Sequence, residues 1–363
     1  MLSNKIGSIA LASVLLASTN LAAARAADAG PAQLVIFDND WDTATSLVPI
    51  LADPQIRLLG ITTVTGDGWR DEETAHVLRF LEDVGRADIP VYNGAVFPLI
   101  NTPARTSAWE QLYGKIPWKG AWNDRSMGPD FHPDQPFEII PAYDGLPHLG
   151  PAAEGAADFM IQAVHAHPHQ VTIIAAGPLT TIALAIRLDP DFASFTKQLV
   201  IMGGLVDTNL LQVTGSANFN SDFNFIFDPE AAHIALTSDW PHVVIVGDVS
   251  NSVIYDQSLF ARMETRRTPA ERYIADVSQV GLPLWDELAA AIVADPTLVT
   301  STLQARMDVD ITDGVNYGHA HVWPESIAPH QGEALVTIVQ DVDRKRFIDE
   351  YVAAAHGGWS LAK

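Results

Sequence analysis

Five short apolar runs, Leu34 to Phe37, Ile56 to Val64, Val171 to Ala175, Gln198 to Met202 and Val243 to Val246, each soon give way to a glycine or an acid. A run with no polar alternation is what a strand covered on both faces requires. Several runs are followed by apolar residues at helical spacing, as in Asp71 to Val84, Leu179 to Leu188 and Ala231 to Leu236. Pro90 to Tyr92 reads as the start of a further short strand, and Ala152 to His165 and Leu284 to Val293 read as further helices. Repeated strand, turn, helix units predict an α/β fold, an open and mostly parallel sheet with helices on both faces. With 48% of its 363 residues hydrophobic, the chain can bury a large core.

The ends and the charge narrow the class. Lys5, the small and apolar stretch Ile6 to Ala24, and Ala24-Arg25-Ala26 predict a secretory signal peptide over residues 1 to 26. A single domain is expected over 30 to 363, with a long insertion at 100 to 150 rich in Trp, Pro, Gly and Asp. That insertion is longer than ordinary connections, which favours a functional loop or lid. The chain has no cysteine, so thiol catalysis, disulfides and cysteine-held metals are excluded. Export without disulfides suits a bacterial periplasmic protein. A net charge of -23 argues against a nucleic acid or an anionic membrane as partner. No membrane-spanning segment is expected after signal cleavage.

Asp38-Asn39-Asp40-Trp41-Asp42-Thr43 sets three acids at the exit of the first apolar run. Open α/β sheets bind their ligands at the carboxyl ends of strands. If extended geometry persists there, Asp38 and Asp40 project one way and Asn39 the other. Carboxylates sharing a pocket repel unless a hard cation or a shared proton offsets them, so a metal and catalytic site is expected here. The plainer alternative is an acid-rich surface turn.

These residues, taken with Gly60-Ile61-Thr62-Thr63-Val64, Gly66-Asp67, Gly177-Pro178-Leu179-Thr180, Met202-Gly203-Gly204, Asp222-Phe223-Asn224, Asp228-Pro229-Glu230 and Trp285-Asp286, resemble the nucleoside hydrolases in order across nearly the whole mature chain. The resemblance implies hydrolysis of the N-glycosidic bond of a small-molecule nucleoside, with one Ca2+ ion in the site. Carried over, the metal ligands are Asp40, the position of Thr43, the carbonyl of Ala176, and Asp286. The first motif departs from the family's Asp-x-Asp-Pro-Gly-x-Asp-Asp by being shorter and ending in Asp-Thr. Thr43 then offers a neutral oxygen where a carboxylate is usual, which weakens the ion's hold unless Asp38 or Asp42 moves in.

The same resemblance makes Asp40 the base that takes a proton from the attacking water, and Asp42 the grip on a ribose hydroxyl. If the gap in the motif falls elsewhere, Asp42 is itself the ligand or the base. Asp286, Asp222 and Asn224 are implied at the ribose, and Asp67 stands where an asparagine is usual. Asn218 and Asn220 lie in an adjoining loop within possible reach of the 5'-hydroxyl, with ordinary loop capping as the plainer account. Asp228 and Glu230 read as a helix start around Pro229. Trp285 occupies the position where pyrimidine-tolerant members have a histidine acid. An indole cannot donate a proton of useful acidity, so the resemblance points to the purine-preferring branch, where aromatic rings sandwich the base. Trp118 is the first candidate for a second ring, with Trp109 and Trp122 behind it. A non-catalytic nucleoside or sugar binding protein is the alternative, and the family's dimers and tetramers make a homo-oligomer an expectation without a sequence to locate it.

Overall fold

The computed structural model describes residues 32–40, 43–128, 131–142, 145–205 and 222–357. The expectations for the leader, Asp42, Asn218 and Asn220 fall outside these residues. Among the described residues, nine strands form one sheet in the order β3-β2-β1-β4-β5-β6-β9-β7-β8. The strands are β1 (Gln33–Asn39), β2 (Ile56–Thr63), β3 (Val91–Asn93), β4 (Val171–Ala175), β5 (Gln198–Met202), β6 (Val243–Val246), β7 (Val299–Val309), β8 (Ala320–Trp323) and β9 (Ala334–Val342). Pairing is parallel from β3 to β6 and on to β9, while β7 runs antiparallel to both β8 and β9.

Helices cover both faces. One face carries α1 (Val48–Ala52), α2 (Arg70–Asp83), α9 (Gln257–Met263), α10 (Pro269–Val277), α11 (Trp285–Ala294) and α12 (Arg344–His356), packed on Val35 and Phe37 of β1. The other carries α4 (Ala156–Ala166), α5 (Thr180–Leu188), α6 (Phe192–Phe195) and α8 (Pro229–Leu236), packed on Leu34 and Ile36. The two inner faces of β1 alternate as a pleated strand demands. Each fully buried side chain such as Phe37 or Ile36 stabilises the fold by roughly 1.5–3 kcal/mol. Between β3 and α4 lie α3 (Pro103–Tyr113) and two short 3-10 turns, and α7 (Phe223–Phe227) precedes α8.

The strand order places the site. Successive connections leave β1 toward β2 on one side, and the chain later returns to add β4 on the other. The crevice opens between the carboxyl ends of strands at such a reversal. Asp40 at the exit of β1 and Gly177 beyond β4 meet there. Among the described residues no helix is long and apolar enough to cross a membrane.

Candidate active site

Asp38, near the end of β1, and Asp40, just past it, are buried, at 0% and 2% exposure. Asp38 accepts a hydrogen bond from the Thr62 hydroxyl at 2.5 Å, whereas its Oδ2 has no hydrogen-bond partner. Asn39 is turned elsewhere, its amide 3.4 Å from Glu73 and its carbonyl accepting from Ser46. Asp40 sits between two glycines. A Cβ on Gly66 would fall 2.7 Å from the Asp40 Cγ, and one on Gly177 would fall 2.6 Å from it. The backbone N–H of Asp67 donates to Asp40, yet its Oδ2 is buried without a hydrogen-bond partner.

Electrostatics explains what such a cradle is for. Burial raises the Asp40 pKa well above the carboxylate range, and the charges of Asp67, Asp286 and Asp38 raise it further. Burial lifts Asp38 to about 7 against the Thr62 hydrogen bond. Asp286 is raised by burial and then by Glu287 and Asp67. Carboxyls clustered this way stay protonated or recruit a cation. The orphaned oxygens of Asp38 and Asp40 are hard donors, the kind a hard cation accepts. The residues therefore fit a metal ion. Among the described residues no three acidic or histidine side chains form a closed metal-binding group by themselves; the implied shell draws on a backbone carbonyl and on Thr43 as well.

Asp286 arrives from the far end of the chain, in the first turn of α11, where a helix N-terminus favours acids. Its neighbour Glu287 is buried and accepts from the Thr45 hydroxyl at 2.6 Å, and Thr45 lies 3.3 Å from the Thr43 hydroxyl. The Tyr273 hydroxyl accepts the Ala44 N–H at 3.2 Å. These contacts staple the turn after β1 to α10 and α11. Thr43 caps that turn's 3-10 helix with no side-chain bond, so its hydroxyl is not spent on the backbone there.

Above the acids lies a cavity of about 650 Å³, lined by Thr43, Asp67, Trp118, Trp285 and Asp286 among others. Trp285 is half-buried and donates its indole N–H to Asn251 at 2.8 Å, which fixes the ring's rotation. Trp118, from the long insertion, donates its indole N–H to the Asp67 carboxylate. Trp109 and Trp122 lie apart, in the wall of a smaller, separate cavity that Trp118 also borders. Trp109 donates to the Gly314 carbonyl, and Trp122 packs at a tilt against Phe227.

Two residues expected at the ribose have their polar atoms engaged within the protein. Asp222 caps α7 through the Phe225 N–H and also receives the N–H groups of Gly204 and Leu205, so backbone amides engage both its oxygens. Asn224 donates to the carbonyls of Ala176 and Met202. Neither lines the large cavity. The Asp-x-x pattern before a short apolar helix is itself a capping signal, and it foretells the Asp222 contacts. Asp228 and Glu230 do start a helix: Asp228 caps α8 with Pro229 in its first turn, and Glu230 accepts from Tyr317. Glu72, His76, His132 and Glu287 line the large cavity without having been singled out in the sequence. Nothing local marks them, since their partners lie far away along the chain.

The profile of the family described as inosine-uridine preferring nucleoside hydrolase matches residues 35–349. The chain belongs to this family. An uncharacterized protein of Schizosaccharomyces pombe is 34% identical over 84% of this chain and 80% of its own. The pyrimidine-specific ribonucleoside hydrolase RihA of Citrobacter koseri is 27% identical over 87% of this chain and 95% of its own. Among solved structures, a plant nucleoside hydrolase, PpNRh1, superposes with a TM-score of 0.72 at 25% identity, covering 90% of this chain and 99% of that one. This nucleoside hydrolase is thus an enzyme that cleaves the glycosidic bond of ribonucleosides, in a family that uses a metal ion.

Proposed function

We propose that this nucleoside hydrolase is a calcium enzyme that prefers purine ribonucleosides. The observation that carries the reading is a glycine-cradled, partly unpartnered Asp40 that feels the charges of Asp67 and Asp286, two acids lining a cavity walled by two indoles, Trp118 and Trp285. Asp40, Asp286, the Ala176 carbonyl and Thr43 are the groups that would hold calcium, with Asp38 close by. When bound, the ion supplies the positive charge that lets these acids ionise together and makes nearby water more acidic.

Water attacks C1' and gives a proton to Asp40, while the bond from C1' to the base breaks with its electron pair leaving on the base. The sugar gains positive charge as the bond breaks, and Asp67 and Asp286 stabilise it through their own negative charge. The base leaves as a neutral molecule once its ring takes a proton from solvent, and Asp40 returns its own proton to solvent, so the net reaction adds one water across the bond. No histidine stands at position 285, so the Trp285 indole face must favour that protonation while the Trp118 face binds the base, and a two-ring base offers both more surface to stack than a pyrimidine. The Asn251 bond to Trp285 and the Asp67 bond to Trp118 hold the two rings in place.

The pyrimidine specificity named for RihA belongs to a protein of 27% identity. Incubation of the full chain with inosine, guanosine, adenosine and uridine in calcium, followed by chromatography of free base, tests the reading. Purines are expected to turn over faster. Faster release of uracil than of any purine overturns the preference, and base release that persists undiminished after exhaustive chelation overturns the calcium role.

A further inference from the structure

We infer that Glu72 and His132 form a positioning pair that sets the Trp118 indole against the substrate's base, an inference that rests on the stacking role proposed for Trp118. Trp118 lies between α3 and the next 3-10 turn, in a stretch with no helix or strand of its own. Something outside regular structure must hold it.

The holding contacts start on α2. Glu72, buried in its first turn, has both oxygens committed to the insertion: Oε2 lies 2.9 Å from Nε2 of His132, and Oε1 accepts the Ile140 N–H at 3.0 Å. His76, one turn on, meets the Ile140 carbonyl at 2.8 Å, and Trp69 donates to the His132 carbonyl at 3.1 Å. On the other side of its ring, His132 Nδ1 lies 2.9 Å from the Gln135 carbonyl. A carbonyl only accepts, so Nδ1 is the donor on that side, and Nε2 is left to face the Glu72 carboxyl on the other. Turning the imidazole would strand one of these acceptors in a buried place. That fixes its neighbour Phe131, whose ring meets Trp118 edge-on, 5.8 Å between centroids at 80°. Trp118 in turn donates to Asp67. A continuous line of contacts therefore runs from α2 through the insertion to the indole and on to an acid of the catalytic cluster. His132 is 2% exposed with both nitrogens engaged, so it positions and does not touch substrate.

Kinetics of the full chain in calcium, on inosine or on uridine if that is the better substrate, test this. Glu72→Ala is expected to raise KM about five- to tenfold, the worth of an aromatic contact, with kcat within about twofold. Glu72→Gln is expected to rescue, because an amide donates to the Nε2 lone pair of a neutral imidazole and still accepts the Ile140 N–H. In a Trp118→Phe background, which raises KM by itself, Glu72→Ala should add less than about twofold. Equal effects of Glu72→Ala in both backgrounds overturn the inference. An unchanged KM in Trp118→Phe alone overturns the stacking reading, and the inference with it. Should Glu72→Ala fail to fold, Phe131→Leu in the same two backgrounds replaces it, with non-additivity supporting the line of contacts and additivity refuting it.

Discussion

The side-chain amide of Asn224 donates to the carbonyl oxygen of Ala176 at 2.9 Å, and to that of Met202 at 3.1 Å. One amide thus ties the exits of β4 and β5 together and aims the carbonyl proposed to hold calcium.

Removing that amide is expected to loosen the ion. Asn224→Ala should weaken calcium binding about 10- to 100-fold, the usual worth of a group that orients a metal ligand. Titration calorimetry of the chelated protein measures it. Unchanged affinity would remove the Ala176 carbonyl from the ligand set.

Asp40→Asn separates chemistry from stability. Losing the base should lower kcat about 10³-fold or more, while the chain freed of calcium should melt no lower, because a buried ionisable group has gone. Steady-state kinetics and thermal melts read the two effects. A kcat within tenfold of the parent's would exclude Asp40 as the base.

Gly66 is required for room and not for a turn. Gly66→Ala would drive a methyl into the Asp40 carboxyl, so Asp40 must shift. Turnover is expected to fall about 100-fold with a loss of about 1–3 kcal/mol in stability. A fully active, fully stable variant would mean that Asp40 stands elsewhere when the enzyme works.

Trp285→Ala is expected to reduce kcat on inosine about 10- to 100-fold and on uridine less, with calcium affinity within about twofold. A uniform loss on all nucleosides would make Trp285 a packing residue for α11.

Asp228 supplies a pH dependence away from the metal cluster. Burial raises its pKa to about 6, against hydrogen bonds from Thr180, Leu99 and Ala231. The folded state therefore binds this proton more tightly than the unfolded chain. Its contribution is fully present below about pH 4 and fades as pH rises through about 6. The difference amounts to about 3 kcal/mol. Urea unfolding at pH 5 and 7 should show a smaller drop in Asp228→Asn than in the parent. An identical drop in both proteins would refute the assignment.

The parts of this molecule legible in its sequence are those where local chemistry and long-range structure agree. The spacing around Val171 to Ala175 and Val243 to Val246 predicts β4 and β6 because both faces of those strands are covered. The strand β7 escaped, since its first half is largely exposed and polar, and it pairs antiparallel at the sheet's far side. The helix α3 inside the insertion buries only Thr106 and Glu110, so no apolar stripe announces it. Asp40 was conspicuous as a charge following an apolar run. Glu72 and His132 were not, because each looks like an ordinary surface residue until the fold brings them together. Asp222 shows the opposite case: the family resemblance pointed to the sugar, while its own local pattern pointed to the amides that hold it.

The acids proposed for the active centre come from distant stretches of the polypeptide: Asp40 leaves the first strand, and Asp286 opens a helix that is made only after β6 is complete. A ribosome releasing this chain therefore exposes Asp38 and Asp40 long before their counterpart exists, and no product that stops before residue 286 can bring them together. Fragments that end before residue 286 should therefore capture calcium more weakly than the full chain.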